Sequence, residues 1–301
     1  MKKDAQAEQA VNELEVKKRS QLSYIWFRFR KNKLAMVGMF LLLVMALICV
    51  TAPLYLDYND DVVTQHVMEK FTKPFSEGHI LGTDHYGRDM FARIVYGGRI
   101  SLSMGFAIVA LSLVIGGTIG AIAGYYGGIV DNVLMRIMDV LLALPQILMA
   151  MAIVAVLGTD IKNLLIAMTI ANVPKFARIV RSAILQIQGQ EYIEAAKACG
   201  TRDPRIILLQ ILPNAIGPIV VQATLQIAQS IISLAALSFI GLGVQSPQPE
   251  WGTMLSEGKQ DMMLYPFVVI EPGIAIMLAV LSFNLMGDGL RDALDPKALE
   301  R

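Results

Sequence analysis

EYIEAAKACGTRDPRIILLQILPN, residues 191–214, is a polar and charged stretch in a chain that is otherwise rich in long apolar runs. It lies between two of those runs, residues 164–180 and 216–240. A polar segment between two membrane-spanning helices has neither lipid nor a core of its own to pack against. We therefore expect residues 191–214 to dock on another protein at the membrane surface.

The residue types within this stretch predict two short helices joined by a tight turn. Ala and Glu favour a helix at its start, and Gly200 can end that helix because glycine accepts a positive φ. Asp203 is placed to cap the next helix, with Pro204 at its first position. Tyr192 and Ile193 are then expected to point towards the partner.

The composition places the chain among integral membrane proteins. Its 301 residues are 55% hydrophobic and the mean hydropathy is +0.54, which is more apolar than a soluble domain. A net charge of +1 gives no global field that would favour nucleic acid. Cys49 and Cys199 fall in a membrane segment and in the polar stretch, so neither a disulfide nor a cysteine-based zinc site is predicted.

Six segments have roughly the 20 apolar residues that cross a hydrocarbon core, which predicts an all-α protein with six transmembrane helices. These segments are residues 34–54, 100–123, 133–157, 164–180, 216–240 and 267–286. The first follows a long charged tail and lacks a small-residue cleavage pattern, so we interpret it as a retained helix and not as a signal peptide.

The distribution of Lys and Arg predicts the orientation in the membrane. With the N-terminus inside, 19 of the 26 basic residues lie on the cytoplasmic side and 7 lie outside. Both termini and residues 191–214 are then cytoplasmic. Arg93 and Arg99 lie on the outer side of the second span, where Asp84 and Asp89 are their expected partners.

The N-terminal tail has apolar residues at helical spacing among basic ones. The apolar residues are Leu22, Ile25, Trp26 and Phe29. This pattern predicts an amphipathic helix lying on anionic lipid, and the alternative is a disordered basic tail.

Glycines recur every fourth residue in the second span, at Gly116, Gly120 and Gly124. Small residues at this spacing let two helix backbones approach closely, so we assign them to helix packing.

The fifth span carries a stripe of polar residues on one helical face. The stripe consists of Gln222, Gln226, Gln229 and Ser233. Amides are costly in lipid, so the stripe should face protein or water. Two interpretations stay open: it lines a translocation pathway for a solute that carries amides, or it forms hydrogen bonds between helices.

A carboxylate at Asp139, within the third span, also needs a partner. Arg136, Arg178 and Arg181 are within reach, and we favour a structural ion pair over a gating or proton-relay role.

Outside the membrane, Gln248, Glu250 and Trp251 lie in a proline-rich loop between the last two spans. We interpret them as a contact for an outer partner or as a gate, and the alternative is an interfacial Trp anchor. His79 and His85 lack the residue pattern of a metal site, so no metal is predicted.

Five stretches together resemble the inner-membrane permeases of the dipeptide, oligopeptide and nickel group of ABC importers, of the C type. They are residues 191–214, LGTDHYGRDMFARIVYGGRISL (81–102), AGYYGGIVDNVLMRIMDVLLALP (123–145), LSFIGLGVQSPQPEWGTML (237–255) and FNLMGDGLRDALDPK (283–297). The resemblance covers nearly the whole chain, and residues 191–214 correspond to the EAA loop, which couples such a permease to its ATPase.

The resemblance implies a type I ABC importer fold, with helices 2–6 as its core, in the bacterial inner membrane. It also implies a second homologous permease, two ATPase subunits that hold ATP and Mg²⁺, and an extracytoplasmic binding protein that contacts the outer loop. The implied coupling residues are Tyr192, Glu194, Ala195, Ala196, Gly200 and Asp203.

On this basis we divide the chain into five parts. They are a cytoplasmic amphipathic tail (1–33), a first transmembrane helix (34–56), an extracytoplasmic loop (57–99), the ABC transporter transmembrane domain (100–290, with the coupling loop at 190–214) and a cytoplasmic tail (291–301).

The function predicted is import of di- or oligopeptides, with no catalytic residue and no bound cofactor in this chain. The same machine could carry a nickel chelate, glutathione or another peptide-like solute. An intramembrane enzyme would need two facing catalytic groups, whereas only Asp139 and Glu271 lie in the spans at useful positions. An ion channel would need no ATPase.

Overall fold

The computed structural model describes residues 21–76 and 78–294, with side chains from residue 25 onwards, and these residues form a bundle of helices. The helices are α1 (Gln21–Lys31), α2 (Lys33–Thr51), α3 (Met90–Tyr126), α4 (Gly128–Leu142), α5 (Gln146–Leu157), α6 (Ile161–Gln188), α7 (Glu191–Ala198), α8 (Asp203–Phe239), α9 (Trp251–Gly258) and α10 (Phe267–Leu294). Within the described residues, β-pairing is limited to two isolated bridges in the outer loop.

Five helices are long and apolar enough to span a membrane, namely α2, α3, α6, α8 and α10. The pair α4–α5 makes a sixth span if it crosses as one broken unit. Five of the six predicted spans are therefore present as single helices, whereas the third is divided between α4 and α5. Its halves meet at 84°, because Pro145 has no N–H to continue the helical ladder and its ring clashes with the preceding turn.

Two helices extend past the predicted segment boundaries. The outer loop ends at Asp89 and not at residue 99, because the Asp89 carboxylate accepts a hydrogen bond from the Ala92 N–H and starts α3 there. At the other end, α10 continues to Leu294, into the segment predicted as a tail. The parts of the two tails at 1–20 and 295–301 lie outside the described residues.

An amphipathic helix does precede the first span. In α1, Phe29 is buried against Ala35 and Ala293, so one face of the helix packs on the end of α10. Trp26 and Phe27 are exposed on α1, as a helix lying on lipid would require. The side chain of Leu22 lies outside the described side chains.

Helices α3 and α6 form the most extensive contact in the bundle. A Cβ atom added at Gly116 or Gly120 would overlap the carbonyl oxygens of Val173 or Ala177, so the two backbones touch at these glycines. A Cβ atom added at Gly124 would lie 3.1–3.2 Å from Ile184 and the Arg181 carbonyl oxygen, which is a tight contact without overlap. The glycine repeat predicted for helix packing therefore lies on the α3 face that contacts α6.

The end of the bundle that carries the loop before α3, called the outer end after the predicted orientation, is built around Trp251, at the start of α9. Its side chain is only 1% exposed, and its indole N–H donates to the Ile94 carbonyl at 2.9 Å. At Gly252, α9 lies so close to the Ala235 backbone of α8 that an added Cβ atom would overlap it. Short helix α9 is thereby held between α3, α8 and α10 at the outer side.

The close contact at Gly120 predicts that an added methyl group lowers stability there but not at the nearby Gly117. Gly120→Ala should lower the stability of the solubilised protein by about 1–3 kcal/mol, because the new methyl meets fixed backbone. Gly117→Ala is the matched control, since its Cβ would find only ordinary contacts at 3.7 Å. Thermal unfolding of both variants in mild detergent measures the difference, and equal midpoints would contradict the close backbone contact.

Candidate coupling surface and translocation pathway

The polar stretch 191–214 forms one short helix, α7, followed by the start of the long helix α8. Helix α7 ends in a turn in which the Gly200 N–H donates to Lys197 and the Thr201 N–H to Ala196. Gly200 has φ +74°, the left-handed conformation predicted for it. The second predicted helix is not a separate short one, because α8 runs from Asp203 through a π-turn at Ile207–Ile211 into the fifth span.

Two details predicted for this loop were wrong. Ile193 does not point outward: it is fully buried with Ile206 and Ile211 in an apolar cluster beneath α7. Asp203 is the first residue of α8 and not its cap, which is Arg202. Its carboxylate instead accepts a hydrogen bond from the Tyr125 hydroxyl at 2.7 Å.

Tyr125 is a residue of this site that the sequence analysis did not single out. It lies at the inner end of α3 and is only 5% exposed. Its carbonyl accepts from the Gln188 amide at 2.6 Å, and its ring lies 5.0 Å from the Lys197 ammonium. Tyr125 therefore connects α3, the end of α6, α7 and the start of α8.

The face of α7 that points away from the bundle is exposed. Tyr192 is 44% exposed, and Glu191, Glu194 and Ala195 are also exposed, whereas Ala196 is partly buried against the apolar cluster. We call this uncovered face, defined by Glu191, Tyr192, Glu194 and Ala195, the coupling surface. It presents an aromatic ring and two carboxylates. The opposite face of the helix packs on the apolar cluster through buried Ile193.

Ion pairs join α4 to α6 near the same end of the bundle. Arg178 contacts Asp139 at 2.6 Å, so the structure contains the ion pair expected for this carboxylate, with Arg178 as the partner. Arg181 binds Asp131 through two hydrogen bonds of 2.5 and 2.6 Å. Because Asp139 and Arg178 are both about half exposed, this face of α4 and α6 faces water or another protein and not lipid.

The polar stripe of α8 divides into two environments. Gln226 is only 5% exposed, and its amide donates to the Asn172 side chain on α6 at 2.7 Å. Gln229 is exposed, while Gln222 and Ser233 are partly exposed. Gln226 thus makes the interhelical hydrogen bond that was one of the two interpretations, and the other three side chains remain accessible.

Asn172 belongs to a polar cluster at the break of the third span, which also comprises Gln146, Lys175 and Gln226. The Gln146 amide donates to the Asn172 oxygen at 3.0 Å, and the Lys175 ammonium donates to the Gln146 oxygen at 2.5 Å. The cluster joins α5, α6 and α8 near the middle of the latter two helices. Gln226 was recognisable in the sequence as part of the polar stripe, and Lys175 as a cation within the fourth predicted span, whereas Gln146 and Asn172 were not singled out.

The interpretation of Glu250 and Trp251 as an outer contact was wrong, and so was the interfacial Trp anchor. Both side chains are 1% exposed. The Glu250 carboxylate caps α9 at Thr253 and accepts from the Ser101 hydroxyl at 3.0 Å. Only Gln248 of the three predicted residues is exposed.

Two buried arginines, Arg88 in the outer loop and Arg93 in the first turn of α3, pair with an acidic residue of α9. Arg88 and Arg93, each 1% exposed, both donate to Glu257 at 2.8 and 2.9 Å. Asp84 is their second acidic partner, at 2.6 Å from Arg88 and 3.5 Å from Arg93. Asp89 was expected to pair with an arginine, but its carboxylate starts α3 and binds His79 at 2.7 Å.

Two histidines, His79 and His85, lie in the outer loop and contact other side chains of that loop. His79 lies between Asp89 and Glu69, at 2.7 and 3.6 Å. Burial lowers the pKa of His85 below its usual value, and its ring lies on Tyr86 at 3.9 Å. Across residues 21–76 and 78–294, no group of three or more His, Cys, Asp or Glu side chains is arranged so that it could hold a metal ion.

The described residues thus form a bundle with five or six apolar spans, a short helix at one end and a polar cluster between α5, α6 and α8. Two family models match the chain. One, described as the binding-protein-dependent transport system inner membrane component, matches residues 116–300, and the N-terminal TM domain of oligopeptide transport permease C matches residues 20–74. The chain belongs to the family of binding-protein-dependent transport system inner membrane components.

Named relatives align with nearly the whole chain. The dipeptide transport system permease protein DppC of Alkalihalophilus pseudofirmus is 49% identical, over 90% of this chain and 88% of the relative. DppC of Haemophilus influenzae is 39% identical, over 93% and 96%. The glutathione transport system permease protein GsiD of Pectobacterium atrosepticum is 45% identical, over 90% of each chain.

A solved structure has the same fold. The inward-facing MetNI methionine ABC transporter matches with a TM-score of 0.55 and 22% identity, over 68% of this chain and 98% of the matched chain. The predicted fold class is thus confirmed: the chain is an all-helical, multi-pass permease of an ABC importer. It belongs to a family of transport proteins and not of enzymes.

The buried arginine pair predicts a large effect at Glu257. Glu257→Gln should lower the free energy of unfolding by about 3 kcal/mol, because two buried cations then keep only the charge of Asp84. Glu69→Gln in the same loop is the control, since that side chain is 54% exposed and lies 3.6 Å from His79. Thermal unfolding in detergent measures both, and a Glu257→Gln midpoint equal to that of the control would contradict this role.

Proposed function

We propose that this permease forms half of the translocation pathway of an ATP-driven importer for di- and oligopeptides. The observation that carries the proposal is the 49% identity over 90% of the chain to a permease named for dipeptide transport. The cluster of amides and one ammonium at mid-depth supports it, since these groups can bind the carbonyls and amides of a peptide. Because one relative is named for glutathione transport, this modified tripeptide is the second candidate cargo.

The proposed machine needs partners that bind ATP and deliver cargo. A second homologous permease would complete the pathway, two ATPase subunits would hold ATP and Mg²⁺, and an extracytoplasmic binding protein would bring the solute. The coupling surface of α7 suits an ATPase, because its exposed Tyr192 and carboxylates lie on a helix that is packed on the bundle through buried Ile193. On the outer side, the exposed Gln248 is the remaining candidate contact for the binding protein.

The proposed mechanism is transmission of rigid-body motion. When the ATPases close, they would displace α7 together with the start of α8, because the Tyr125–Asp203 hydrogen bond and the apolar cluster tie these elements to α3 and α6. Helix α8 continues without a loop from Asp203 to Phe239. A displacement at its inner end would therefore move Gln222, Gln229 and Ser233, which we propose line the pathway.

The proposed orientation places both termini and α7 in the cytoplasm, where ATP is available. Support comes from the excess of Lys and Arg on that side, 19 against 7. On the opposite side, Arg88 of the outer loop and Arg93 of α3 are buried and paired with Asp84 and Glu257.

The two cysteines provide a test of this orientation and of the docking site. Cys199, at the end of α7, is exposed, whereas Cys49 is buried. A membrane-impermeant maleimide should label Cys199 in inverted vesicles and not in intact cells, with Cys199→Ser as the unlabelled control. Binding of the ATPase subunits should slow this labelling at least about fivefold, since the thiol borders the coupling surface. Labelling from outside the cell would overturn the orientation, and unchanged labelling in the complex would overturn the docking site.

A pair of glycines on either side of α7 tests whether its geometry couples ATP hydrolysis to transport. Gly200→Ala should strain the turn by about 1 kcal/mol and misplace α7, because Gly200 has φ +74°. Gly189→Ala is the matched control: its φ is −86° and a Cβ there meets open space. We expect peptide uptake and binding-protein-stimulated ATP hydrolysis to fall severalfold in Gly200→Ala only. Equal activity of the two variants would contradict the coupling role of this turn.

A further inference from the structure

Lys175 is a cation near the middle of a membrane-spanning helix whose described partner is an amide and not an acid. Helix α6 carries three cations in its second half, and two of them, Arg178 and Arg181, pair with carboxylates of α4. The Lys175 ammonium instead donates to the Gln146 side-chain oxygen. Among residues 25–76 and 78–294, no Asp or Glu forms an ion pair with it. Such a cation in a membrane protein normally faces a counter-charge or a water-filled path.

The surroundings of Lys175 are arranged to hold it in place. Gln146 receives the ammonium on its oxygen, and its amide group is directed to Asn172, which also accepts from Gln226. The Asn172 amide in turn donates to the Met168 carbonyl at 2.9 Å, so its side-chain oxygen must face these two donors. Asn172 is fully buried and Gln226 is 5% exposed, whereas Lys175 is partly exposed. The chain of amides therefore fixes the ammonium at the edge of the bundle.

Two observations indicate that this edge faces water or protein and not lipid. The Arg178–Asp139 ion pair lies on the same side of α6, one turn further along, and both of its side chains are about half exposed. The break between α4 and α5 is also exposed, at residues 143–145. Non-helical backbone at membrane depth is tolerated where it borders protein or a water-filled cavity.

We propose that Lys175 binds the carboxylate of the cargo as it crosses the membrane. This inference rests on the proposed import function, and it names the chemical class of the solute: a molecule with a free carboxylate, such as the C-terminus of a short peptide. Gln146 would keep the ammonium in place when the site is empty. The exposed amide of Gln229, on the helix that Gln226 joins to the cluster, is available for the peptide group.

Transport by the complete importer tests the charge of Lys175. The complex is reconstituted in liposomes with its binding protein, and uptake of alanyl-alanine is measured beside ATP hydrolysis. Lys175→Gln should lower uptake about tenfold, because a charge-assisted hydrogen bond is lost, while ATP hydrolysis stays within about twofold. Lys175→Arg should keep at least about half of the uptake, since it keeps the charge. Lys162→Gln is the matched control, because Lys162 is an exposed lysine at the outer end of the same helix.

Unchanged uptake in Lys175→Gln would overturn the proposal, and so would an equal fall of uptake and ATP hydrolysis. Loss of the second permease from the purified variant would also overturn it, since Lys175 would then pair with that subunit. If the wild-type complex hydrolyses ATP but does not carry alanyl-alanine, the proposed peptide import itself fails.

A second measurement requires no transport. In the purified complex in nanodiscs, acetylation of Lys175 by a water-soluble succinimidyl ester is followed by peptide mass spectrometry. N-acetyl-alanyl-alanine, at a concentration near its dissociation constant, should slow this reaction about twofold. Its C-terminal amide should not, and Lys162 should react equally with either compound present. Equal protection by acid and amide, or none by the acid up to its solubility limit, would overturn a carboxylate site.

Discussion

The close contact between α3 and α6 determines where the other parts of the site lie. Gly116 and Gly120 present no side chain to α6, so the carbonyl oxygens of Val173 and Ala177 lie directly against the α3 backbone. At this distance α6 cannot rotate about its axis without a clash between backbones. Its orientation is therefore fixed, with Asn172 buried towards α8 and Lys175 and Arg178 on the side of α4 and α5.

This contact also links the membrane core to the inner surface. Tyr125 follows Gly124 in the last turn of α3. Its hydroxyl donates to Asp203 at the beginning of α8, and its carbonyl accepts from Gln188 at the end of α6. The coupling surface of α7 is attached to this junction through buried Ile193. Short, direct contacts thus connect α7 with the inner ends of α6 and α8, and both helices carry members of the polar cluster further along.

The outer side follows a different physical principle. There the loop before α3 is held by charge, through Arg88, Arg93, Asp84 and Glu257, and the short helix α9 is held by burial of Trp251. Two cations and two anions balance in this group, which offsets the cost of removing each from water. Glu250 and Trp251, which were predicted to contact a partner, are instead buried within this part of the bundle.

The sequence by itself determined the class of structure. Runs of about 20 apolar residues, the bias of Lys and Arg and the glycine repeat are local patterns, and each has one dominant physical cause in a membrane. Gly200 was predictable for the same reason, because a helix end that needs positive φ selects glycine. The tertiary structure alone decided which polar residue meets which. Asp203 accepts a hydrogen bond from Tyr125, Glu257 pairs with two arginines, and Gln146 accepts from Lys175, and these partners are separated by up to 169 positions in the chain. The tertiary structure also decided that Ile193 is buried and not exposed. Such pairings depend on how helices rotate and cross, and no local periodicity records that.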